Sequence, residues 1–227
     1  MFGLVVFGFV SLSFLGGTAF WWVLGFGNDL TIDGQAKIVR PTVQEQDSSW
    51  SAYGGDSGGS RYSSIEQITS ENVRELDVAW AYRSGALDKR PELRNRTSFQ
   101  STPILIEGSL IFCSQFNEVI ALDPESGSEK WRYDAEVPTD GRPANEFSCR
   151  GVSYWKDSSA DPTSACAARI FMGTVDARII GIDARTGAPC EDFGSRGAVQ
   201  IEPSLALRWP GEFQITSAPA IVGDVVV

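Results

Sequence analysis

The stretch Gly55-Asp-Ser-Gly-Gly59 has the residue order found around the nucleophile of trypsin-like proteases, yet the 227-residue chain contains no histidine. Without an imidazole there is no Ser-His-Asp triad, no histidine base and no histidine-containing zinc site. A phosphate loop fits no better, because Asp56 would repel phosphate and no helical pattern follows to offer its N-terminus. The segment therefore reads as a turn-rich lead-in to a folded body. Chemistry is left to carboxylates, lysine, arginine, cysteine or a bound cofactor. Within that set Arg150 stands apart, since Cys149-Arg-Gly151 directly precedes an apolar strand pattern, an unusual place for a charge. Two readings are open: an arginine paired with a neighbouring carboxylate, or a guanidinium facing an anionic ligand through charge-assisted contacts. Asn95-Arg-Thr97 fits a glycosylation sequon, a weak signal alone.

Charge narrows the partners. Nineteen Lys and Arg against twenty-nine Asp and Glu give a net charge of -10. Such a chain is repelled by a phosphate backbone, so no nucleic acid is expected as a partner. Cys113, Cys149, Cys166 and Cys190 form no CxxC pair and suit an oxidising compartment.

The elements that must position these residues fall into three zones. All charged residues lie after position 28, and residues 1–27 are uncharged and rich in Phe, Val, Leu, Gly and Trp. About 20 helical residues cross a roughly 30 Å hydrocarbon core, so this zone is expected to be a transmembrane helix in a lipid bilayer, with Phe20, Trp21, Trp22 and Phe26 at its interfacial end. A signal peptide would need a basic n-region and a clear small-residue cleavage site. Residues 28–49 are polar and aperiodic, a linker. Lys37 and Arg40, the basic residues that follow the helix, weigh for a cytoplasmic body under the positive-inside rule.

Residues 50–227 form the third zone. Thr69 to Leu76 predicts one helical turn capped by Thr69 or Ser70, and no sustained helical period follows. Short strands rich in β-branched and aromatic residues are expected at Val78–Tyr82, Ile104–Ile106, Leu110–Cys113, Val119–Leu122, Gly151–Tyr154, Arg169–Met172, Ile179–Ile182 and Ala220–Val222. An internal repeat sets their arrangement. Val119-Ile-Ala-Leu-Asp-Pro-Glu-Ser-Gly127 returns as Ile179-Ile-Gly-Ile-Asp-Ala-Arg-Thr-Gly187, and Ser101-Thr-Pro103 returns as Ser217-Ala-Pro219. Each unit reads as four strands with an Asp-x-x-x-Gly turn before the last, which ends in an aromatic. One such sheet cannot cover both its faces, and radial stacking of sheets gives an all-β propeller. About two blades and the start of a third fit, so the chain is expected to be a truncated piece of a longer protein. Arg150 then opens a blade's innermost strand, near the propeller axis. Cys166 and Cys190 fall at the same end of one predicted blade and are the preferred disulfide.

Trp50-x-x-Tyr53-Gly-Gly-Asp-x-x-Gly-x-Arg61-Tyr-Ser63, Gln67-Ile-Thr69, Ala79-Trp80-x-Tyr-Arg-x-Gly85, Thr102-Pro103, Ala121-Leu-Asp-x-x-x-Gly127-x-x-x-Trp131, Cys149-Arg-Gly-Val-Ser-Tyr154 and Asp176-Ala-Arg through Gly187-x-Pro-Cys190 resemble, in order, the pyrroloquinoline quinone (PQQ) dependent dehydrogenases. The nearest branch is the membrane-bound glucose, quinate and shikimate group. The resemblance implies an eight-bladed propeller with PQQ on its axis beside calcium or magnesium. It also implies a bacterial inner-membrane anchor, a periplasmic body that overrides the weak charge count, and ubiquinone as electron acceptor. It gives Arg150 a tricarboxylate partner, and places Gln100, Thr216 and Ser217 in the cofactor pocket, with Trp155 shaping substrate access. Glucose-oxidising members carry histidine where Trp155 stands, which leaves glucose, a quinate-like polyol and other alcohols open as substrates. The adjacent-cysteine ring of the alcohol-oxidising branch is absent. The metal-binding carboxylate and the catalytic aspartate are expected beyond residue 227, so no catalytic or metal-binding residue is assigned. The competing class is a non-catalytic envelope scaffold built from the same propeller repeats.

Overall fold

The computed structural model describes residues 50–56, 58–202 and 206–227, so the expected transmembrane helix and linker lie outside the described residues. Among the described residues no helix is long and apolar enough to cross a membrane. The body is all-β. Strands β1 (Ile104–Ile106), β2 (Ser109–Cys113), β3 (Glu118–Leu122) and β4 (Glu129–Asp134) form one antiparallel sheet in chain order. Strands β5 (Ser153–Lys156), β6 (Ala168–Gly173), β7 (Arg178–Asp183) and β8 (Ala198–Gln200) form a second with the same topology. A hairpin of β9 (Ile221–Val222) and β10 (Val225–Val226) follows. This is the expected pattern of two blades and the beginning of a third.

Period-two alternation explains how the sheets stack. Ile111, Cys113, Val119 and Ala121 turn to one face of the first sheet and join Ile170, Met172, Ile180 and Ile182 of the second in a common core. The opposite face of the first sheet carries Phe112, Ile120 and Leu122, covered by Trp80 and Tyr82. Strand β3 is buried along its whole length, since both its faces are covered. A buried amide pins the two blades together: Asn117 donates to the Gly173 carbonyl at 3.1 Å and accepts from Val175 N–H at 3.1 Å.

The repeated turn has a physical role. Asp123 Oδ1 accepts from the Glu125 and Ser126 amides, and Asp183 Oδ1 accepts from those of Arg185 and Thr186. Each turn closes at a glycine in left-handed backbone, Gly127 at φ 70° and Gly187 at φ 74°. A neighbouring indole lies on each glycine: a Cβ at Gly127 would sit 2.6 Å from the Trp80 ring, and one at Gly187 2.6 Å from the Trp131 ring. Both the φ angle and the indole therefore require glycine.

Three expectations change. Val78–Tyr82 has no ladder partner among the described residues; its side chains cover a sheet face instead. The predicted helical turn is a short 3-10 turn at Val73–Glu75, and a second, Pro91–Arg96, was not foreseen. The last strand of the second blade, β8, carries no aromatic residue, so only β4, with Trp131 and Tyr133, fits the expected strand ending.

Gly187→Ala should lower the unfolding free energy by about 2 to 5 kcal/mol, the left-handed backbone and the crowded indole each contributing. Gly108→Ala is the control, since Gly108 has φ 68° but open space around it, and should cost only about 1 to 2 kcal/mol in the same denaturant titration. A second prediction concerns acid. Burial pushes the Asp183 carboxyl up, but the amides of Cys166, Arg185 and Thr186 outweigh it and hold the group below its ordinary value. Its stabilisation is therefore full above the unfolded carboxylate pKa of about 3.9 and is lost as pH falls through the lower folded value. Asp183→Asn should be less stable at neutral pH and show a shallower acid limb in denaturation midpoints measured against pH.

Candidate functional site

Three inner-strand starts are tied in series by backbone hydrogen bonds. Thr102 N–H, just before β1, donates to the Arg150 carbonyl at 3.0 Å, and Arg150 N–H donates to the Thr216 carbonyl at 2.8 Å. The residues that open successive blades thus converge on Arg150. Gly151 and Val152 behind it are buried, while the Arg150 side chain is exposed. Its Nε donates to Gln100 Oε1 at 3.1 Å, and Gln100 Nε2 donates to Ser98 Oγ at 3.0 Å.

A cavity of about 520 Å³ opens here, lined by Tyr53, Gln100, Arg150, Ser217 and Ala218. No carboxylate lines it, and among the described residues none lies within ion-pair reach of Arg150. The reading of Arg150 as one half of a structural ion pair therefore has no partner within this described region. In a chain of net charge -10, the cavity offers a guanidinium, an amide, a hydroxyl and a phenol. That donor set suits an anion.

Of the two cysteine pairs, one lies beside this site. Cys166–Cys190 forms as expected, with Cα atoms 5.8 Å apart. The second bridge, Cys113–Cys149 at 5.9 Å, ties the end of β2 in the first blade to the residue preceding Arg150. Cys166, Cys190 and Asp192 have ligand atoms close enough for a metal, but both sulfurs are committed to the disulfide.

The profile described as "PQQ: Glucose/ethanol/alcohol dehydrogenase, beta-propeller domain" matches residues 50–227. The chain belongs to the PQQ-dependent dehydrogenase family. It is 33% identical over 218 residues to quinoprotein glucose dehydrogenase A of Acinetobacter calcoaceticus, covering 89% of this chain and 27% of that protein. It is 36% identical over 178 residues to the glycerol dehydrogenase large subunit of Gluconobacter oxydans, covering 78% of this chain and 24% of that one. The solved quinohemoprotein alcohol dehydrogenase of Comamonas testosteroni superposes with a TM-score of 0.59 at 25% identity, over 78% of this chain and 22% of that structure. The chain thus spans about a quarter of the length of the relatives it matches.

PQQ is a planar o-quinone with three carboxylates, and the acid-free, donor-lined cavity fits such a group. Of the residues singled out by sequence for a PQQ dehydrogenase pocket, Gln100, Arg150 and Ser217 come together in the cavity. Thr216 contributes its backbone carbonyl to Arg150, and its side chain is not among the lining groups. Trp155 goes elsewhere. It lines a separate cavity of about 540 Å³ with Arg169, Phe171, Phe193, Ile221 and Val225, and the Arg169 guanidinium lies 5.6 Å from its ring centroid. Alternation along β5 is the reason: Ser153 bonds the Pro219 carbonyl and Trp155 points to the same side, toward the β9–β10 hairpin. Trp155 is thereby placed on a face between sheets, apart from Arg150. Besides Ala218, Tyr53 is a lining residue that sequence reasoning missed, although it stands inside the quoted Trp50-x-x-Tyr53 motif. Its placement follows from a pairing invisible in sequence, in which Trp50 exchanges backbone hydrogen bonds with Leu105 on β1 at 2.8 and 2.9 Å.

Removing the bridge beside Arg150 with the double variant Cys113→Ser/Cys149→Ser should cost about 3 to 4 kcal/mol of unfolding free energy, since the linked residues are 36 apart in sequence. Chemical denaturation under non-reducing conditions checks this, and the loss should be reproduced in the unsubstituted protein by full reduction of that bridge.

Proposed function

We propose that this chain is the cofactor-gripping part of a quinoprotein dehydrogenase that oxidises an alcohol, sugar or polyol and passes electrons to membrane ubiquinone. The observation that carries this reading is the acid-free cavity at the convergence of the inner strands, with Arg150 pointing into it. Membership in the PQQ-dependent dehydrogenases supports the reaction class, and the glucose and glycerol dehydrogenases among its relatives support a polyhydroxylated or simple alcohol substrate. The propeller is proposed to have eight blades and to face the periplasm from the bacterial inner membrane, with residues 1–27 as its anchor.

When bound, PQQ supplies the two-electron acceptor for oxidation of a CH–OH donor, beside calcium or magnesium. The residues of this chain bind and orient. Arg150 would hold a carboxylate through its guanidinium, which is planar and permanently charged. Gln100 keeps that guanidinium in place by accepting from Nε, leaving the terminal nitrogens free for the ligand. Ser217 adds a hydroxyl from the segment before β9. Arg150, Gln100 and Ser217 do not serve as the base toward a substrate hydroxyl; by the family resemblance, that base and the metal-ligating carboxylate are proposed to lie in the protein beyond residue 227.

The test is a titration of the full-length protein with PQQ in the presence of calcium, followed by quenching of tryptophan fluorescence and by dye reduction with alcohols and polyols. Saturable binding and substrate-dependent dye reduction are expected. Arg150→Ala should weaken PQQ binding about 10- to 100-fold, the effect of losing a hydrogen bond between charged partners. A non-catalytic scaffold would show no binding and no response to Arg150→Ala, and that result would overturn the reading.

A further inference from the structure

Tyr53 enters the cavity from outside the blades. The lead-in that carries it is zipped to the first inner strand at Trp50 and Leu105, then folds back on itself, with Ala52 bridged to Gly55 and Arg61 N–H donating to the Gly54 carbonyl at 2.8 Å. That return brings the Arg61 guanidinium over the Tyr53 ring, 5.0 Å from its centroid. Asp56 secures the return by accepting from both the amide and the hydroxyl of Ser60. The half-exposed Tyr53 ring thus lies in the wall shared with Gln100, Arg150 and Ser217.

Its hydroxyl also sits among positive charges. Arg61 does most to hold the Tyr53 phenol below its usual ionisation range, through hydrogen bonding and charge, with Thr102 and then Arg150 contributing. A phenol made more acidic is a stronger hydrogen-bond donor. With no carboxylate in the wall to accept from it, its complement is an oxygen anion on the ligand.

We propose that Tyr53 donates its phenolic hydrogen to a carboxylate of the bound cofactor, and that Arg61 is the positioning residue that holds and polarises the ring for this contact. The inference rests on the PQQ reading of the cavity and assigns the lead-in a direct share in it. Asp56, in a stretch empty of nucleophilic chemistry, then helps hold the return that sets Arg61 above Tyr53.

The experiment is a PQQ titration by fluorescence quenching on the full-length protein, comparing wild type, Tyr53→Phe, Arg61→Ala, the double variant and Arg150→Ala. Tyr53→Phe keeps the ring and removes only the hydroxyl, and should weaken binding about tenfold, as expected for a neutral donor lost from an ionised acceptor. Arg61→Ala should weaken it about two- to fivefold, the scale of an exposed cation–ring contact. In the Tyr53→Phe background, Arg61→Ala should add nothing, because the group it acts through is gone. Affinity within twofold of wild type for Tyr53→Phe, alongside a large loss for Arg150→Ala, would overturn this inference and leave the PQQ reading standing. Additive losses in the double variant would overturn the positioning role of Arg61. Absence of PQQ binding by the wild type would overturn both the inference and the reading beneath it.

Discussion

An indole laid on a glycine sets the distance between neighbouring parts of this protein. Trp131 of the first blade covers Gly187 in the second, as Trp80 covers Gly127 in the first, and neither glycine could carry a Cβ without displacing the ring. The close approach allows the face of one sheet to meet the next without a gap, so that Ile111 and Val119 share a core with Ile170 and Ile180. Packing at interior density leaves little room for error at such a contact. At the strand starts, hydrogen bonds from Thr102 to Arg150 and from Arg150 to Thr216 join the same two blades and the following segment. The outer docking and the inner relay are two ends of one wedge.

Charge is distributed over this wedge unevenly. The chain has ten more acidic than basic residues, yet among the described residues no acid lines the cavity. Asp123, Asp157, Asp161 and Asp183 cap turns, and hydrogen bonds hold all four below the ordinary carboxylate range. Glu129, Asp176 and Asp192 pair with Arg132, Arg178 and Arg169. Glu118, fully buried in β3, sits 3.4 Å from Arg132 and 3.6 Å from Lys89, which compensates a charge that would be costly alone. Arg150 is left with a neutral amide as its partner. Local charge at the cavity is thus opposite in sign to that of the whole chain, and a net-charge argument alone would have missed a site for an anion.

What the sequence revealed and what it hid divide along a physical line. The two Asp-x-x-x-Gly turns were legible because both their side-chain caps and their positive φ require particular residue types, at Asp123 and Gly127 and again at Asp183 and Gly187. The blade order followed from them. Arg150, Gln100 and Ser217, singled out through ordered resemblance, line one cavity, and their convergence is a consequence of where strands begin. Trp155 lines a different cavity from Arg150 because a motif gives neighbours in sequence, whereas alternation along β5 decides the face. Val78–Tyr82 has strand composition, but a ladder needs a partner edge, and its residues found a sheet face to cover instead. The Cys113–Cys149 bridge and the place of Tyr53 both depend on contacts between segments far apart in sequence, for which no local pattern exists.

The cavity wall is drawn from four separate segments: the lead-in at Tyr53, the approach to β1 at Gln100, the approach to β5 at Arg150 and the approach to β9 at Ser217. No one sheet contains the site. A ligand that touches all four is therefore bound only when the lead-in, both blades and the following hairpin are correctly docked. Anything that binds the folded state alone stabilises it in proportion to the logarithm of its concentration over its dissociation constant. A multiply charged anion at this position would also relieve the positive field around Arg150, whose recorded partner among the described residues is a neutral amide. Under the proposed reading, such a ligand would be a structural element of the hub as well as its reactive group. The covalent bridge at Cys149 serves the same end, because it fixes the residue next to Arg150 to the first blade whether or not the ligand is present. Ordering the guanidinium in advance lowers the conformational cost of binding, so more of the electrostatic attraction remains as affinity.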